Sequence, residues 1–532
     1  MFTRKFIQNL LVALVQKKFG ILPEFLVEVP ENSANGDYFS NVALVLGKSL
    51  KKVPIDVAKE IADVLSLQLA GWKVEVVGPG FINLWMSNNY LQDEFRKILK
   101  GGKNYGRGKK QKTKLQIEYV SANPTGPLTL ANGRGGFLGD TLSNILEFYG
   151  LQIEREYYVN DTGNQIITLG KSILAAAGVI PEEDNFYKGG YIKKWTLANK
   201  VKVKKFKNDP LKLGQEAAKY FLAVIKKGLR AGRITFDRFT SEDKNIHKKN
   251  FIRKAFAVLE KSGKVYKNDG AVWLKTTDFG DDKNRVLLTS DGFPTYFLAD
   301  AGHYLETKVR NFDGKINILG PDHFGYVKRI QAAAALMGFK NSKIIVTQAV
   351  RLTKNGEEVK MSKRAGEFIT FADLLREVGP DAARYFFLEK SAETHIDFDL
   401  DLAKERSTKN PVFYIQYAHT RAVSIIHKAQ KTKHKAQKTN FQLLKETEEL
   451  QLLKKLIQFP EIVEDTVGDY QIHRLSRFAL ELARIFHNFY EKHRVITSDK
   501  QLTRVRLNLV FGTRIILKNI LDLMGITAPD KM

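Results

Sequence analysis

Ser121-Ala122-Asn123-Pro124-Thr125-Gly126-Pro127-Leu128-Thr129-Leu130-Ala131-Asn132-Gly133-Arg134-Gly135-Gly136 decides how this chain is read, because of what flanks it. Before it, Leu115, Ile117 and Tyr119 alternate with the period of a strand; after it, Leu138, Leu142, Ile145 and Leu146 follow the period of a helix. The unit from Lys114 to Tyr149 therefore reads strand, loop, helix. Proline and glycine set the path of the loop, and small residues let its backbone approach a ligand closely. The start of the helix offers unpaired amides and a positive dipole end to phosphate. The same unit would also serve as a tight turn for packing alone.

A second stretch, Val359-Lys360-Met361-Ser362-Lys363-Arg364-Ala365-Gly366, puts two lysines around a small hydroxyl on a short loop closed by glycine. Lysine is a compact charge on a flexible stem, so Lys360 and Lys363 suit a pyrophosphate that separates from an α-phosphate. In a chain with 85 Lys plus Arg, a solvated basic loop is the plainer alternative. From Lys114 to about Lys390, strand-like runs such as Ile316 to Leu319 and Ile344 to Val350 alternate with helical ones. This pattern predicts an α/β core built on a doubly wound parallel sheet of Rossmann type. Loops at the strand ends of one such sheet meet at its carboxyl edge, where these sheets bind nucleotides.

The 532 residues suffice for roughly three or four domains. Residues 1–105 read as a separate α+β appendage that ends in the basic, glycine-rich run from Lys100 to Lys112. Residues 106–390 hold the catalytic sheet, with a Lys-rich helical insertion at about 187–282, and 391–532 read as an all-α bundle. The doubled Lys-Ala-Gln-Lys-Thr at Lys428–Thr432 and Lys435–Thr439 reads as a solvated linker between helices. A formal charge of +27 and a pI near 9.7 predict an anionic partner. Basic residues spread over the whole length favour nucleic acid over a membrane. The apolar run Phe6 to Val15 is far short of the ~20 residues that span a bilayer. Its Phe6, Leu10, Leu11, Leu14 and Val15 suit an amphipathic helix without a small-residue cleavage site, so a cytoplasmic protein is expected. The absence of cysteine excludes disulfides, a thiolate nucleophile and cysteine-ligated zinc. The ten histidines are scattered, so no protein-bound zinc or other resident metal is expected.

Together the two stretches resemble the signature pair of class I aminoacyl-tRNA synthetases, and the words around them resemble the arginyl-tRNA synthetase family in particular. Those words begin with Pro30-Glu31-Asn32, Gly36-Asp37-Tyr38, Asn41-Val42-Ala43 and Gly78-Pro79-Gly80-Phe81-Ile82-Asn83. They continue through Tyr158-Val159-Asn160-Asp161-Thr162-Gly163-Asn164-Gln165, Gly280-Asp281-Asp282-Lys283 and Gly320-Pro321-Asp322-His323-Phe324-Gly325-Tyr326. Asp397-Phe398-Asp399-Leu400, Asn410-Pro411, Tyr414-Ile415-Gln416-Tyr417-Ala418-His419 and the end Ala528-Pro529-Asp530-Lys531-Met532 complete the set. The resemblance covers nearly the whole chain.

It implies a ligase that activates L-arginine with ATP and Mg2+ to arginyl-adenylate, then transfers the acyl group to the 2'-hydroxyl of the terminal adenosine of tRNA(Arg). No covalent enzyme intermediate is needed, and tRNA is bound before arginine is activated. The N-terminal domain would touch the tRNA elbow, the insertion the acceptor end and the helical bundle the anticodon, with Tyr417, Arg421 and Met532 as tRNA contacts. A monomer is expected. For Tyr417 and Arg421, core packing or a surface ion pair is the plain alternative.

A free guanidinium asks for a carboxylate that accepts two of its donors at once. Tyr296 and Asp300, four apart on a helix predicted after Gly292-Phe293-Pro294-Thr295, would project from one face. The resemblance implies that they hold the guanidinium, with Glu242 as second carboxylate. It gives Glu118 and Asn123 to the substrate's amino and carboxylate groups, and His323 to the ribose or amine. Thr129, Ala131, Asn132, Gly133, Lys360, Met361, Ser362 and Lys363 would bind ATP, with Thr129, Asn132, Lys360 and Lys363 catalytic. Asp300 paired with a lysine and Glu242 as a helix cap are the ordinary alternatives.

The first signature departs from the family pattern of two histidines around a glycine, since Thr129, Leu130, Ala131 and Asn132 stand in those places. Thr and Asn hydrogen-bond phosphate but carry no charge. Activity with an altered ATP site is expected; the alternative is a non-catalytic, synthetase-like tRNA-binding protein with a degenerate first signature.

Overall fold

The computed structural model describes residues 3–340, 342–359, 369–431 and 441–532. Its central sheet has five strands, β1 (Lys114–Glu118), β2 (Gln152–Val159), β3 (Arg238–Ser241), β4 (Gly314–Leu319) and β5 (Lys343–Val346). They run in the order β5-β4-β1-β2-β3, and every neighbouring pair is parallel. This is the doubly wound sheet that the alternation predicts. The order reverses direction between β1 and β4, which opens a crevice beyond their carboxyl ends. The apolar run at Ile344 to Val350 is split: Lys343–Val346 closes this sheet, while Val350–Lys354 pairs in parallel with Ile396–Asp399 in a smaller one.

The helix after the first signature loop, α1 (Leu130–Phe148), contains four glycines and one arginine, all buried. A Cβ on Gly133 would lie 2.3 Å from the Phe371 ring, and one on Gly139 would lie 2.2 Å from Tyr119 of the β1 exit. Interior glycine costs a helix about 1 kcal/mol relative to alanine, and here that cost admits close contact with aromatic rings. Among the described residues, Gly133 therefore has a packing role that its sequence position as a ligand contact did not reveal.

Helix Phe371–Leu388 packs on α1 and kinks at Gly379 (φ 77°) and Pro380. From it the fully buried Arg384 reaches Asp140 Oδ2 of α1 at 2.7 Å, Gly232 O at 3.1 Å, Met524 O at 3.0 Å and also Arg233 O. One guanidinium thus joins the sheet helix, the turn after helix Pro210–Ala231 and the C-terminal bundle.

Within 187–282 the chain is helical at Gly190–Ala198, Lys200–Lys205 and Pro210–Ala231, and then it supplies β3 to the central sheet. Four residues, Arg-Phe-Thr-Ser, are too few to show a strand period between charged neighbours. Helix Phe251–Lys261 and an antiparallel sheet of Val265–Asn268, Ala271–Leu274 and Arg285–Leu288 follow.

The N-terminal part combines a four-stranded antiparallel sheet, ordered Val27–Glu28, Tyr38–Ser40, Phe81–Trp85, Lys73–Val77, with helices Thr3–Phe19, Val42–Leu50 and Pro54–Gln68. The first helix buries Ile7, Leu11, Leu14 and Val15, with Phe6 and Leu10 partly buried against the same core. Beyond the small sheet at 396–399, helices Pro411–Lys431, Thr447–Ile457, Phe459–Asp469, His473–Lys492 and Lys500–Leu523 build the C-terminal bundle. The first helix runs through Lys428–Lys431 of the doubled motif; the second copy lies outside the described residues. Among the described residues no helix is long and apolar enough to cross a membrane.

Candidate active site

Glu118 is the last residue of β1, at the switch point, and is buried. The next turn is strained: Val120 (φ 66°) and Ser121 (φ 35°) both enter the left-handed region, which is unusual for a β-branched residue. Such conformations cost of order 1–3 kcal/mol each and persist where the surroundings over-determine them. The turn lets Ser121 Oγ donate to Glu118 Oε1 at 3.0 Å, and Ser121 Oγ in turn accepts from the Tyr158 N–H at 3.0 Å. Further along the loop, Asn123 Oδ1 accepts from Asn160 Nδ2 at 2.6 Å, which leaves its amide NH2 as the group that can donate to a ligand.

Thr129 caps α1. Its hydroxyl accepts from the Asn132 N–H at 3.4 Å, and Asn132 Oδ1 accepts from the Thr129 N–H at 2.9 Å. Two of the residues expected to touch ATP thus fasten the helix start to itself, with Ala131 between them half-buried. Arg134, one turn on and fully buried, donates to Gln348 O at 2.7 Å, Ser391 O at 2.8 Å and Thr394 O at 2.7 Å. Burial with no carboxylate partner lowers its pKa to about 10. These bonds tie α1 to the base of Val350–Lys354, the strand that leads toward the second signature. Lys360, Met361, Ser362 and Lys363 lie outside the described residues.

Tyr296 and Asp300 do lie on one helix, Tyr296–Val309, which Thr295 precedes. Their environments differ: Tyr296 is 65% exposed, whereas Asp300 is half-buried beside other carboxylates. Burial pushes the Asp300 carboxyl up to about 7; Glu118 and Glu242 add to the rise, and His303 and Lys315 oppose it. Glu242 is buried on the turn that follows β3, where Ser241 Oγ and the Asp243 N–H bind Asp161 at 2.5 and 3.0 Å. Burial raises its pKa as well, against His247 at 3.3 Å. His323 sits exposed on the short 3-10 turn Pro321–Tyr326, its ring against Tyr326. The structure therefore gathers Glu118, Glu242 and Asp300 and leaves Tyr296 and His323 at the solvent side.

Three residues in this cluster escaped the sequence reading. Glu156 of β2 and Lys315 of β4 are completely buried, and His303 lies on the Asp300 helix with its ring stacked 4.2 Å from Tyr158. His303 and Lys315 hold the Glu156 carboxyl well below the usual range even though burial pushes the other way. The available signal was the pair Lys315 and Asn317, two apart in an otherwise apolar strand and so on one face.

In the bundle, Arg421 donates to Tyr417 Oη at 3.0 Å and also lies over the Tyr490 ring. Tyr417 stacks with His487 at 5.5 Å. The Pro529 carbonyl binds His419 and Thr420 at 3.0 and 2.9 Å, which brings the exposed chain end at Met532 to the helix that carries Tyr417 and Arg421.

A parallel sheet of this order, with a carboxylate cluster and a capped helix start at its switch point, defines a doubly wound nucleotide-binding enzyme. Comparison with known proteins refines the class. Residues 94–422 match the class I tRNA synthetase (R) catalytic domain, 4–86 the arginyl tRNA synthetase N-terminal domain, and 415–532 the DALR anticodon binding domain. An arginine--tRNA ligase from Desulforamulus reducens is 40% identical, covering 96% of this chain and 94% of its own. One from Bacillus cereus is 38% identical, over 96% and 95%. The solved arginyl-tRNA synthetase of Thermus thermophilus superposes with a TM-score of 0.81 at 21% identity over the whole of both chains, a likeness of fold. The chain belongs to the arginyl-tRNA synthetase family.

Proposed function

We propose that this protein is an arginine--tRNA ligase. It activates L-arginine with ATP and transfers it to the 2'-hydroxyl of the terminal adenosine of tRNA(Arg). The observation that carries the reading is the cluster of Glu118, Glu242 and Asp300 in the switch-point crevice, where burial raises Asp300 and the two glutamates add to the rise. Carboxylates crowded in this way are relieved by a cation, and the arginine side chain supplies a planar one.

In the proposed complex the guanidinium lies against Asp300, with Glu242 as second acceptor and Tyr296 folding over it from the rim. The α-ammonium faces Glu118 and the carboxylate faces the Asn123 amide. The carboxylate oxygen then attacks the α-phosphate in line and pyrophosphate leaves. Catalysis comes from positioning and charge stabilisation. The start of α1, with Thr129, Ala131, Asn132 and Gly133, faces the nucleotide, while Lys360, Met361, Ser362 and Lys363 follow the departing phosphates. His323 stands at the ribose or the amine. Magnesium travels with ATP as part of the substrate. The 2'-hydroxyl next takes the acyl group from the adenylate.

The domain roles follow the same reading: residues 1–105 for the tRNA elbow, the insertion within 106–390 for the acceptor end, and 391–532 for the anticodon, with Tyr417, Arg421 and Met532 on the tRNA side. The net charge of +27 suits that partner. We place the protein in the cytoplasm as a monomer. Arginine-dependent exchange of pyrophosphate into ATP, assayed with and without tRNA, tests the first half-reaction. Exchange that needs both arginine and tRNA agrees with the reading, and exchange driven equally by lysine contradicts it.

A further inference from the structure

Glu118, Glu156 and His303 present donor atoms within 4.8 Å of one another, the spacing of a metal site, but a protein cation already fills the centre. Lys315 Nζ lies 3.1 Å from Glu118 Oε2, 3.3 Å from Glu156 Oε2 and 3.0 Å from His303 Nε2, and its side chain is fully buried. A buried lysine is rare unless paired, and removing one partner of such a pair strands the other.

The two glutamates do not depend on it equally. Glu156 also has His303 Nε2 at 2.9 Å, the Thr240 hydroxyl, and the guanidinium groups of Arg238 and Arg310 at 3.8 and 3.7 Å. Glu118 has Asn317 Nδ2 at 2.7 Å, Ser121 Oγ at 3.0 Å and, farther off, His303 Nδ1 at 3.8 Å. Among the described residues, Lys315 is the one Lys or Arg within ion-pair range of it. Lys315 and Asn317 both bind Oε2, so that oxygen is occupied by β4 donors, while Oε1 is met by the neutral Ser121 hydroxyl.

We propose that Lys315 is a positioning residue for recognition of the amino acid's α-ammonium group: held by Glu156, it fixes the Glu118 carboxylate through Oε2 so that Oε1 receives that group. The inference rests on the reading above, in which arginine fills this crevice. Lys315 itself touches no substrate.

The test compares arginine with 5-guanidinopentanoate, which is arginine without its α-amino group. Dissociation constants are measured on the full chain with tRNA present. Wild type is expected to prefer arginine. Lys315→Met should weaken arginine about tenfold or more, the range of a charge-assisted hydrogen bond, while the analogue changes little. Glu118→Gln should do the same, and adding Lys315→Met to it should cost nothing further. Lys315→Met with Glu156→Gln removes a balanced pair and carries the same measurement if the single variant fails to fold. Equal weakening of both ligands, or an unchanged preference, overturns the proposal. A wild type that charges tRNA with arginine yet binds the analogue equally well overturns it too, and leaves the activity standing.

Discussion

The Thr129 hydroxyl donates to Asn132 Oδ1 at 2.8 Å while the Asn132 N–H returns to Thr129 Oγ, so the residues that replace two histidines in the first signature cap each other. A reciprocal cap satisfies two orphan amides at a helix start. It also holds the dipole end at the crevice where phosphate is proposed to bind. Thr129→Ala should lower stability by about 1 kcal/mol and raise the KM for ATP, whereas Thr129→Ser should preserve both. Paired replacement by histidine at 129 and 132 should be worse than Thr129→Ala, because it removes both halves of the cap. A melting temperature unchanged in the double variant would contradict this account.

Asp300 titrates near 7, and a guanidinium binds its ionised form. Lowering the pH below 7 therefore protonates the acceptor, and the KM for arginine should climb by up to tenfold per unit while that for ATP stays level. Asp300→Asn should weaken arginine at every pH and flatten the dependence. The readout is KM for each substrate between pH 6 and 8.5.

Glu461 clamps the N-terminal domain to the bundle, accepting from the Arg4 N–H at 2.7 Å and the Tyr38 hydroxyl at 2.9 Å. Burial raises its carboxyl from 4.5 to about 7, against Arg4. Between those values the folded chain keeps a proton that the unfolded chain has released, so stability falls as pH rises from about 4.5 to about 7. At 1.36 kcal/mol per unit the loss approaches 3 kcal/mol. Asp300 shifts in the same direction, so the diagnostic is the difference between proteins. Glu461→Gln, whose amide oxygen still accepts both bonds, should show a flatter pH dependence of melting than wild type. Parallel curves would remove Glu461 from this role.

Lys363 is proposed to act on charge that develops as pyrophosphate leaves. Lys363→Ala should cut turnover by about 100-fold with tRNA affinity near normal. Single-turnover rates at saturating substrates, set beside filter binding of tRNA, separate the two.

Much of this was legible in the chain. The apolar alternation around Ile117 and Ile318 announced a parallel sheet, and Asp300 could be placed on a helix from the turn residues before it. Burial was harder to read. Tyr296 and Asp300 share a helix face in sequence terms, yet only Asp300 enters the cluster, because Tyr296 starts the helix at the surface. Gly133 was read as a ligand contact, and its second role, leaving room for the Phe371 ring, was not legible. Lys315 and Arg134 were lost among 85 basic residues, since nothing local tells an interior cation from a solvated one. Their partners, Glu118 and Glu156 for the first and the carbonyls of Gln348, Ser391 and Thr394 for the second, come from distant segments.

The most direct measurement is aminoacylation of total tRNA by the purified protein with ATP and magnesium, offering labelled arginine, lysine and glutamine in parallel. Charging with arginine alone is the predicted result, because a fork-shaped acceptor leaves lysine partly unpaired. Retained tRNA binding without charging by any of the three would contradict the account and make this a tRNA-binding protein whose first signature no longer supports chemistry.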